Sequence, residues 1–369
     1  MIYLDYASSA PVYTEVCALT VDIMANIYGN PSSLHSEGNK ARRLLRESRQ
    51  DIAFLLGFNP ENIIFTSGGT EANNTAIMSV RYGKRKNIVV GASEHHSVLN
   101  AAEELKKFGF TVTYVIPDAC GRITPDAVKA VLTEDTALLS IQAVNNETGV
   151  VQDITAMAEL AHSVGALYHC DAVQSFGHIP LPLDCADMVS LSGHKFGGPR
   201  GVGVLAAKPM ALGSAYMFGG KQEFGLRAGT ENLPAIAGLA LATKMACAEL
   251  DSEYKRLHEL SKLLLNLLKQ KTTALRLTSG DALRVPNILS IRFPDMSAEE
   301  LMTQLSEKSI CIGAGAACTM GDKSPSHVLT AMGLAAKEAK ETVRISLGRR
   351  TSEEEIRITA DAIAEIYCK

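Results

Sequence analysis

From about residue 60 to residue 207, short runs rich in β-branched residues alternate with helix-like stretches. The runs are Ile63-Ile64-Phe65-Thr66, Asn87 to Gly91, Thr111 to Ile116, Ala137 to Val144, Ala166 to Cys170, Asp187 to Leu191 and Gly201 to Leu205. Helical patterns fall near 70–82, 96–108, 125–133 and 153–164. Such a βαβα order predicts an α/β fold, with a mainly parallel seven-stranded sheet flanked by helices. The last two runs are joined by SGHKFGGPR, too short for a crossover helix, so an antiparallel hairpin is expected there.

Beyond the alternation, leucines at three- and four-residue spacing predict a long helix near 250–270. It is expected to link or pack two units. A smaller α+β unit follows, with strands at Asn287 to Phe293, Ser309 to Ile312 and Val343 to Leu347. Its helices are expected to open at Ser297-x-x-Glu300 and Thr351-x-x-Glu354, both capping-box patterns.

Composition excludes some functions. A net charge of −4 over 369 residues argues against nucleic acid or a membrane surface as partner. No apolar run is long enough to span a bilayer, and MIYLDYASSAPV does not read as a secretory signal. Eight cysteines without a CxxC pair suit a reducing compartment, so a cytoplasmic location is expected.

Three stretches could carry chemistry. FTSGGTEANN (65–74) reads as strand, glycine turn and helix start, where unpaired N–H groups can hold a phosphate. The other reading is an ordinary capped turn. In ALYHCDAVQS (166–175), Asp171 ends a strand, at the edge where α/β sheets bind ligands. It could hold a protonated heterocyclic nitrogen or simply cap the next turn. In SLSGHKFGGPRGVG (190–203), Lys195 follows a buried strand, and partial desolvation would free its amine for a Schiff base. The GGPRGVG stretch lacks the spacing of a phosphate loop.

A phosphate cradle, a carboxylate and a lysine in this order suit pyridoxal 5'-phosphate. With YLDYASSAP (3–11), GNPSSLHSEG (29–38), SEHHSVLN (93–100), NNETGVVQDI (145–154), RAGTEN (227–232), GAGAACTMGDKSPSHVL (313–329) and VRISLG (343–348), the chain resembles a fold-type-I pyridoxal-phosphate enzyme. The resemblance is to the cysteine desulfurase family of the class-V aminotransferases, NifS/IscS branch, nearly end to end.

The resemblance implies a role for each matching position. Lys195 would bind the cofactor aldehyde, Asp171 its ring nitrogen, and His95 would stack on the ring and shuttle protons. Asn146 and Gln174 would bond the phenolic oxygen, and Asn146 would also meet the substrate. Gly69, Thr70, Ser192 and His194 would cradle the phosphate, and Thr230 would reach it across a homodimer interface. Arg344 would bind the carboxylate of L-cysteine. Cys318, in a glycine- and alanine-rich stretch, would take the sulfur as a persulfide. It would pass it to an acceptor, an iron–sulfur scaffold or a tRNA-thiolation protein. No resident metal is expected, and the one candidate for transient iron–sulfur ligation is Cys318.

On this reading, residues 15–250 form the large cofactor-binding domain. Residues 1–14 and 251–369 form a small domain carrying the cysteine loop. The chain departs from the family in three places. It has Ala316-Ala317-Cys318-Thr319-Met320 around the cysteine and Ala7-Ser8-Ser9-Ala10 near its start. It also ends at Lys369, without the tail by which housekeeping members dock the scaffold. Rival expectations are a lyase or aminotransferase of the same fold acting on selenocysteine or cysteine sulfinate, and a non-catalytic sulfur-assembly scaffold.

Overall fold

The computed structural model describes residues 1–209, 211–272, 274–315 and 324–368. It opens with a short strand, β1 (Ile2–Tyr3), and two helices, α1 (Thr14–Asn26) and α2 (Ser36–Leu56). The alternating region follows as β2 (Ile63–Thr66), α3 (Gly69–Ser79), β3 (Asn87–Gly91), α4 (His96–Leu105), β4 (Thr111–Val115) and α5 (Pro125–Lys129). It continues as β5 (Thr136–Ser140), α6 (Ile154–Ser163), β6 (Leu167–Asp171), β7 (Met188–Ser192) and β8 (Gly203–Ala207).

Strands β2 to β8 form one seven-stranded sheet in the order β2-β8-β7-β6-β5-β3-β4. Strand β8 runs antiparallel to both neighbours, and the other pairings are parallel. The expected hairpin is therefore present. The inner strands are buried on both faces and largely apolar, and successive side chains point to opposite faces. Ile63, Phe65, Val89 and Leu139 join the core on one face, while Ile64, Ile88, Val90 and Leu138 join the core on the other.

The C-terminal part starts with α7 (Leu233–Lys271), of which the expected 250–270 helix is the second half. Asn232 Oδ1 caps it by accepting the Ala235 N–H at 3.3 Å. Then come β9 (Arg276–Leu277), β10 (Ile288–Arg292), α8 (Ala298–Glu307), β11 (Ile310–Cys311), α9 (His327–Ala331), α10 (Ala336–Lys340), β12 (Thr342–Ser346) and α11 (Glu353–Tyr367). Helix α7 packs on α1, α2 and α11. Contrary to the expectation that no run is long enough, it contains an apolar window long enough to cross a membrane, but 56% of that window is buried inside the fold.

Several expected elements end or start elsewhere, and for two of them the contact responsible is visible. The strand expected to run to Val144 stops at Ser140. Beyond it the chain leaves the ladder and folds back, with Val144 bridging to Val151. Asn145 Oδ1 holds that turn by accepting the N–H groups of Glu147 and Thr148, both at 2.9 Å. The last helix is capped by Ser352, not Thr351, in a reciprocal capping box with Glu355. Thr351 is buried, and its hydroxyl accepts the Gly348 N–H at 3.0 Å instead.

The N-terminus is stitched into the C-terminal part. β1 pairs parallel with β11, and Asp5 bridges to Ser346 at the end of β12. This crossing brings residues 5–9 to the carboxyl edge of the large sheet.

Candidate active site

At the carboxyl ends of β2, β6 and β7 lies a cavity of about 220 Å³. Ligands bind at this edge in open α/β sheets because helix N-termini and strand-end loops converge there. Gly69, Thr70, His95, Asn146, Asp171, Gln174, Ser192, His194, Lys195 and Arg344 all line it. These ten sequence-predicted positions are spread over 276 places along the chain, from 69 to 344, and the fold brings them together.

The cradle is built from β2 and α3. Gly68 has φ +154°, a conformation that side chains rarely adopt, and a Cβ on Gly69 would come within 2.9 Å of Val173 Cγ2. The backbone thus turns tightly and exposes the first N–H groups of α3. Ser192 ends β7, and His194 and Lys195 follow at once. Burial, then the nearby Lys195 and Arg200, push the His194 imidazole down to about 4. His194 is therefore a neutral hydrogen-bonding group near pH 7.

Lys195 Nζ donates to the carbonyls of Ala7 at 2.7 Å and Ser8 at 2.9 Å. Gln174 Nε2 donates to the same Ala7 carbonyl at 2.8 Å. Asp171 ends β6, its Oδ1 accepting the Val173 N–H at 2.9 Å and its Oδ2 the Asn73 side-chain amide at 2.7 Å. His95 is the N-cap of α4. Burial is the main cause that lowers its pKa, opposed by the charge of Asp171.

Arg344 on β12 is held by three acceptors. Its Nη2 reaches Asp5 Oδ1 at 2.8 Å and Ser8 Oγ at 2.6 Å, and its Nη1 reaches the Asn146 carbonyl at 2.9 Å. Its Nε is buried with no hydrogen-bond partner among the described residues. A buried guanidinium with a spare donor is suited to a carboxylate.

Thr230 is exposed and does not line the cavity. Its segment is tied to α3 by Arg227, whose Nε donates to Glu71 Oε1 at 2.8 Å. Cys318 lies outside the described residues. The flanks of that segment meet at Glu147: Ser326 Oγ donates to Glu147 Oε2 at 2.5 Å, and a Cβ on Gly315 would stand 2.9 Å from the same oxygen.

Asn73, Ser97, Asp5 and Ser8 escaped the sequence reading. Asn73 sits one helical turn beyond Thr70, inside the stretch read only as a phosphate turn. Ser97 sits two places after His95. Their spacing was visible, but no local pattern says that the first turns of α3 and α4 come into contact.

The aminotransferase class-V family model matches residues 2–358. The chain belongs to that family. Within it, the relatives are cysteine desulfurases. The cysteine desulfurase IscS of Proteus mirabilis is 40% identical over 368 residues, covering 96% of this chain and 90% of the relative. The solved structure of a NifS-like protein superposes with a TM-score of 0.91 at 32% identity, covering 99% of this chain and 98% of that one. A structure of SspA in complex with cysteine gives 0.84 at 34% identity, covering 94% and 99%. The mainly parallel sheet is thus that of the fold-type-I enzymes.

Class-V aminotransferases depend on pyridoxal 5'-phosphate, and the residues present fit it. The glycine-lined helix start suits a phosphate, and the strand-end carboxylate of Asp171 suits a ring nitrogen. Two buried atoms at the cavity, Arg344 Nε and Asn73 Oδ1, have no partner among the described residues, as expected where a polar ligand completes the hydrogen bonding.

Below the site, His169 is fully buried in β6, two places before Asp171. Its Nδ1 lies 2.8 Å from Ser140 Oγ and its Nε2 3.0 Å from Ser190 Oγ, so it ties β5, β6 and β7 together. Burial pushes its pKa from 6.5 to about 4. The unfolded chain therefore binds the extra proton first as pH falls. The stabilising contribution of His169 is complete above pH 6.5 and is lost between 6.5 and about 4. Urea unfolding of wild type should lose stability across that window, with this one group contributing at most about 1.4 kcal/mol per pH unit. His169→Asn should flatten the slope by one proton, and an unchanged slope would refute the assignment.

Proposed function

We propose that this chain is a cysteine desulfurase that uses pyridoxal 5'-phosphate to convert L-cysteine to L-alanine and leaves a persulfide on Cys318. The observation that carries this reading is the convergence of Thr70, His95, Asp171, Ser192, His194, Lys195 and Arg344 on one cavity. The cofactor, when bound, supplies an electron sink that weakens bonds at the substrate Cα.

The chain's own groups do the rest. Gly69, Thr70, Ser192 and His194 would hold the phosphate. Asp171 would hold the ring nitrogen protonated, and Asn146 and Gln174 would bond the phenolic oxygen. Lys195 would leave the Ala7 and Ser8 carbonyls to bind the aldehyde and then carry protons. Arg344 would orient the substrate carboxylate. The Cys318 thiolate would attack the substrate sulfur. The C–S bond breaks as the new S–S bond forms, and carbon takes a proton. Free thiol and cysteine thus become persulfide and alanine without an outside oxidant.

The same reading makes the protein a homodimer, with Thr230 reaching the partner's phosphate site. In support, Thr230 is exposed outside its own cavity, and Phe218 and Phe224 of the same segment are exposed. It also places 15–250 and the joined 1–14 and 251–369 as two domains, in line with their separate apolar clusters. The seven cysteines among the described residues are free thiols, as suits a reducing cytoplasm. The persulfide would pass to an iron–sulfur scaffold or a tRNA-thiolation protein.

The test is product analysis with L-cysteine and a thiol reductant. Equal alanine and sulfide are expected. Pyruvate and ammonia would instead make the protein a lyase. Arg344→Lys should lower kcat/KM by about 10- to 100-fold, mainly through KM, because hydrogen bonds to charged groups are worth about 1.5–3 kcal/mol. Loading with cofactor should be unchanged, and an unchanged KM would move the carboxylate site elsewhere.

A further inference from the structure

We propose that Asn73 and Ser97 are positioning residues that join Asp171 to His95 by a buried hydrogen-bond relay and fix His95 as the Nε2–H tautomer. The inference rests on the desulfurase reading for its chemical meaning, but its geometry stands apart from it. Asn73 is 1% exposed, Asp171 6% and Ser97 8%, so water does not compete for these bonds.

The direction of every bond in the relay follows from its ends. Asp171 Oδ2 lies 2.7 Å from the Asn73 side-chain nitrogen. A flipped Asn73 would set its carbonyl oxygen against a carboxylate, two acceptors face to face, so the amide nitrogen points to Asp171. Its second proton goes to Ser97 Oγ at 2.9 Å. Ser97 Oγ, already accepting, has its own proton left for His95 Nδ1 at 2.8 Å. The Ser97 backbone N–H also donates to that Nδ1, at 3.1 Å. A backbone amide can only donate, so Nδ1 carries a lone pair, and the proton of the neutral ring is on Nε2.

The relay has a chemical consequence. Forming the imidazolium puts a proton on Nδ1, where it meets the Ser97 N–H head on. Burial opposes the same step, and so do the charges of Lys195, His96 and His327, against the pull of Asp171. His95 is thereby held as a neutral donor through Nε2, not as a base. The group left to take a proton from the substrate Cα is Lys195 Nζ. Asn73 Oδ1 takes no part in the relay and has no hydrogen-bond partner among the described residues.

The test is long-range ¹H–¹⁵N NMR on the histidine-labelled full-length protein, with cofactor bound. Wild type should show His95 with a pyridine-like Nδ1 and a pyrrole-like Nε2 from pH 8 to pH 6. Ser97→Ala removes the hydroxyl link with little change of volume. It should raise the pH at which His95 titrates by about one unit, a tenfold shift in proton affinity. It should also lower kcat about tenfold, with KM for L-cysteine within about twofold of wild type. Ser97→Thr keeps both the hydroxyl and the backbone donor and should restore both values. Asn73→Ala should move the titration in the same direction, and a cofactor absorbance like that of wild type would show that it has folded. An Nδ1–H tautomer in wild type would overturn the proposal whatever the products are. So would a Ser97→Ala protein whose His95 titration and kcat match wild type. A lyase product pattern alongside the expected tautomer would instead refute the desulfurase reading and leave the relay standing.

Discussion

Replacing Lys195 by alanine should lower alanine formation from L-cysteine by at least about 10³-fold and leave the protein folded. On the proposed function, covalent capture of the cofactor aldehyde and transfer of the substrate proton would both depend on one amine. General acid–base transfer alone contributes roughly 10²- to 10⁴-fold, and the covalent role adds to it. Among the described residues, no other lysine lines the cavity. Lys195 Nζ is held only 2.7–2.9 Å from the Ala7 and Ser8 carbonyls, so a positioned amine, not a freely swinging one, is lost. The fold should survive because the Ala7 carbonyl keeps its bond from Gln174 Nε2. The Ser8 carbonyl is then the group with most to lose, at about 1–3 kcal/mol. The measurement pairs alanine release with the visible absorbance of the purified protein. The variant should lose its cofactor on gel filtration, where wild type keeps it. Retained turnover would place the reactive amine elsewhere.

Cys318→Ser should abolish persulfide formation and reduce alanine release by at least about 10²-fold, with cofactor retention unchanged. A thiolate is a strong nucleophile toward sulfur at neutral pH, and a serine hydroxyl remains protonated there. Cys318 stands in a glycine- and alanine-rich stretch whose two described flanks come together beside the cavity. Gly315 and Ser326 both meet Glu147, next to Asn146 and Arg344 at the cavity. Mass spectrometry of the intact protein after one turnover should show one added sulfur on wild type and none on Cys318→Ser. Added sulfur on Cys311 instead would move the nucleophile seven residues back. Full sulfur transfer by the serine variant would exclude a thiol at this position from the reaction.

Much of the fold was legible in the sequence because its causes are local. Seven short runs, most of them containing β-branched residues, announced the sheet, and the nine-residue SGHKFGGPR link announced the antiparallel β7–β8 pair. Asp171 and Lys195 could be placed at strand ends for the same reason, since strand periodicity is readable within a few residues. Boundaries failed where a longer-range contact competed. The chain leaves the ladder after Ser140 because Asn145 closes a turn that pairs Val144 with Val151. The helix cap moved from Thr351 to Ser352 because burial claims the Thr351 hydroxyl for Gly348.

By itself, then, the sequence determined the α/β class and the seven strands of the large sheet, and it singled out positions that line the cavity, all from patterns within single segments. Tertiary structure alone decided how those segments meet. It placed β8 between β2 and β7, and it carried Asp5 and Ser8 across β11 to grip Arg344. It also set Asn73 of one helix against Ser97 of another, between Asp171 and His95. Contacts of this kind depend on the twist of the sheet and on which helix faces which strand end. Those are set by the sum of all packing, and no window of neighbouring residues contains them.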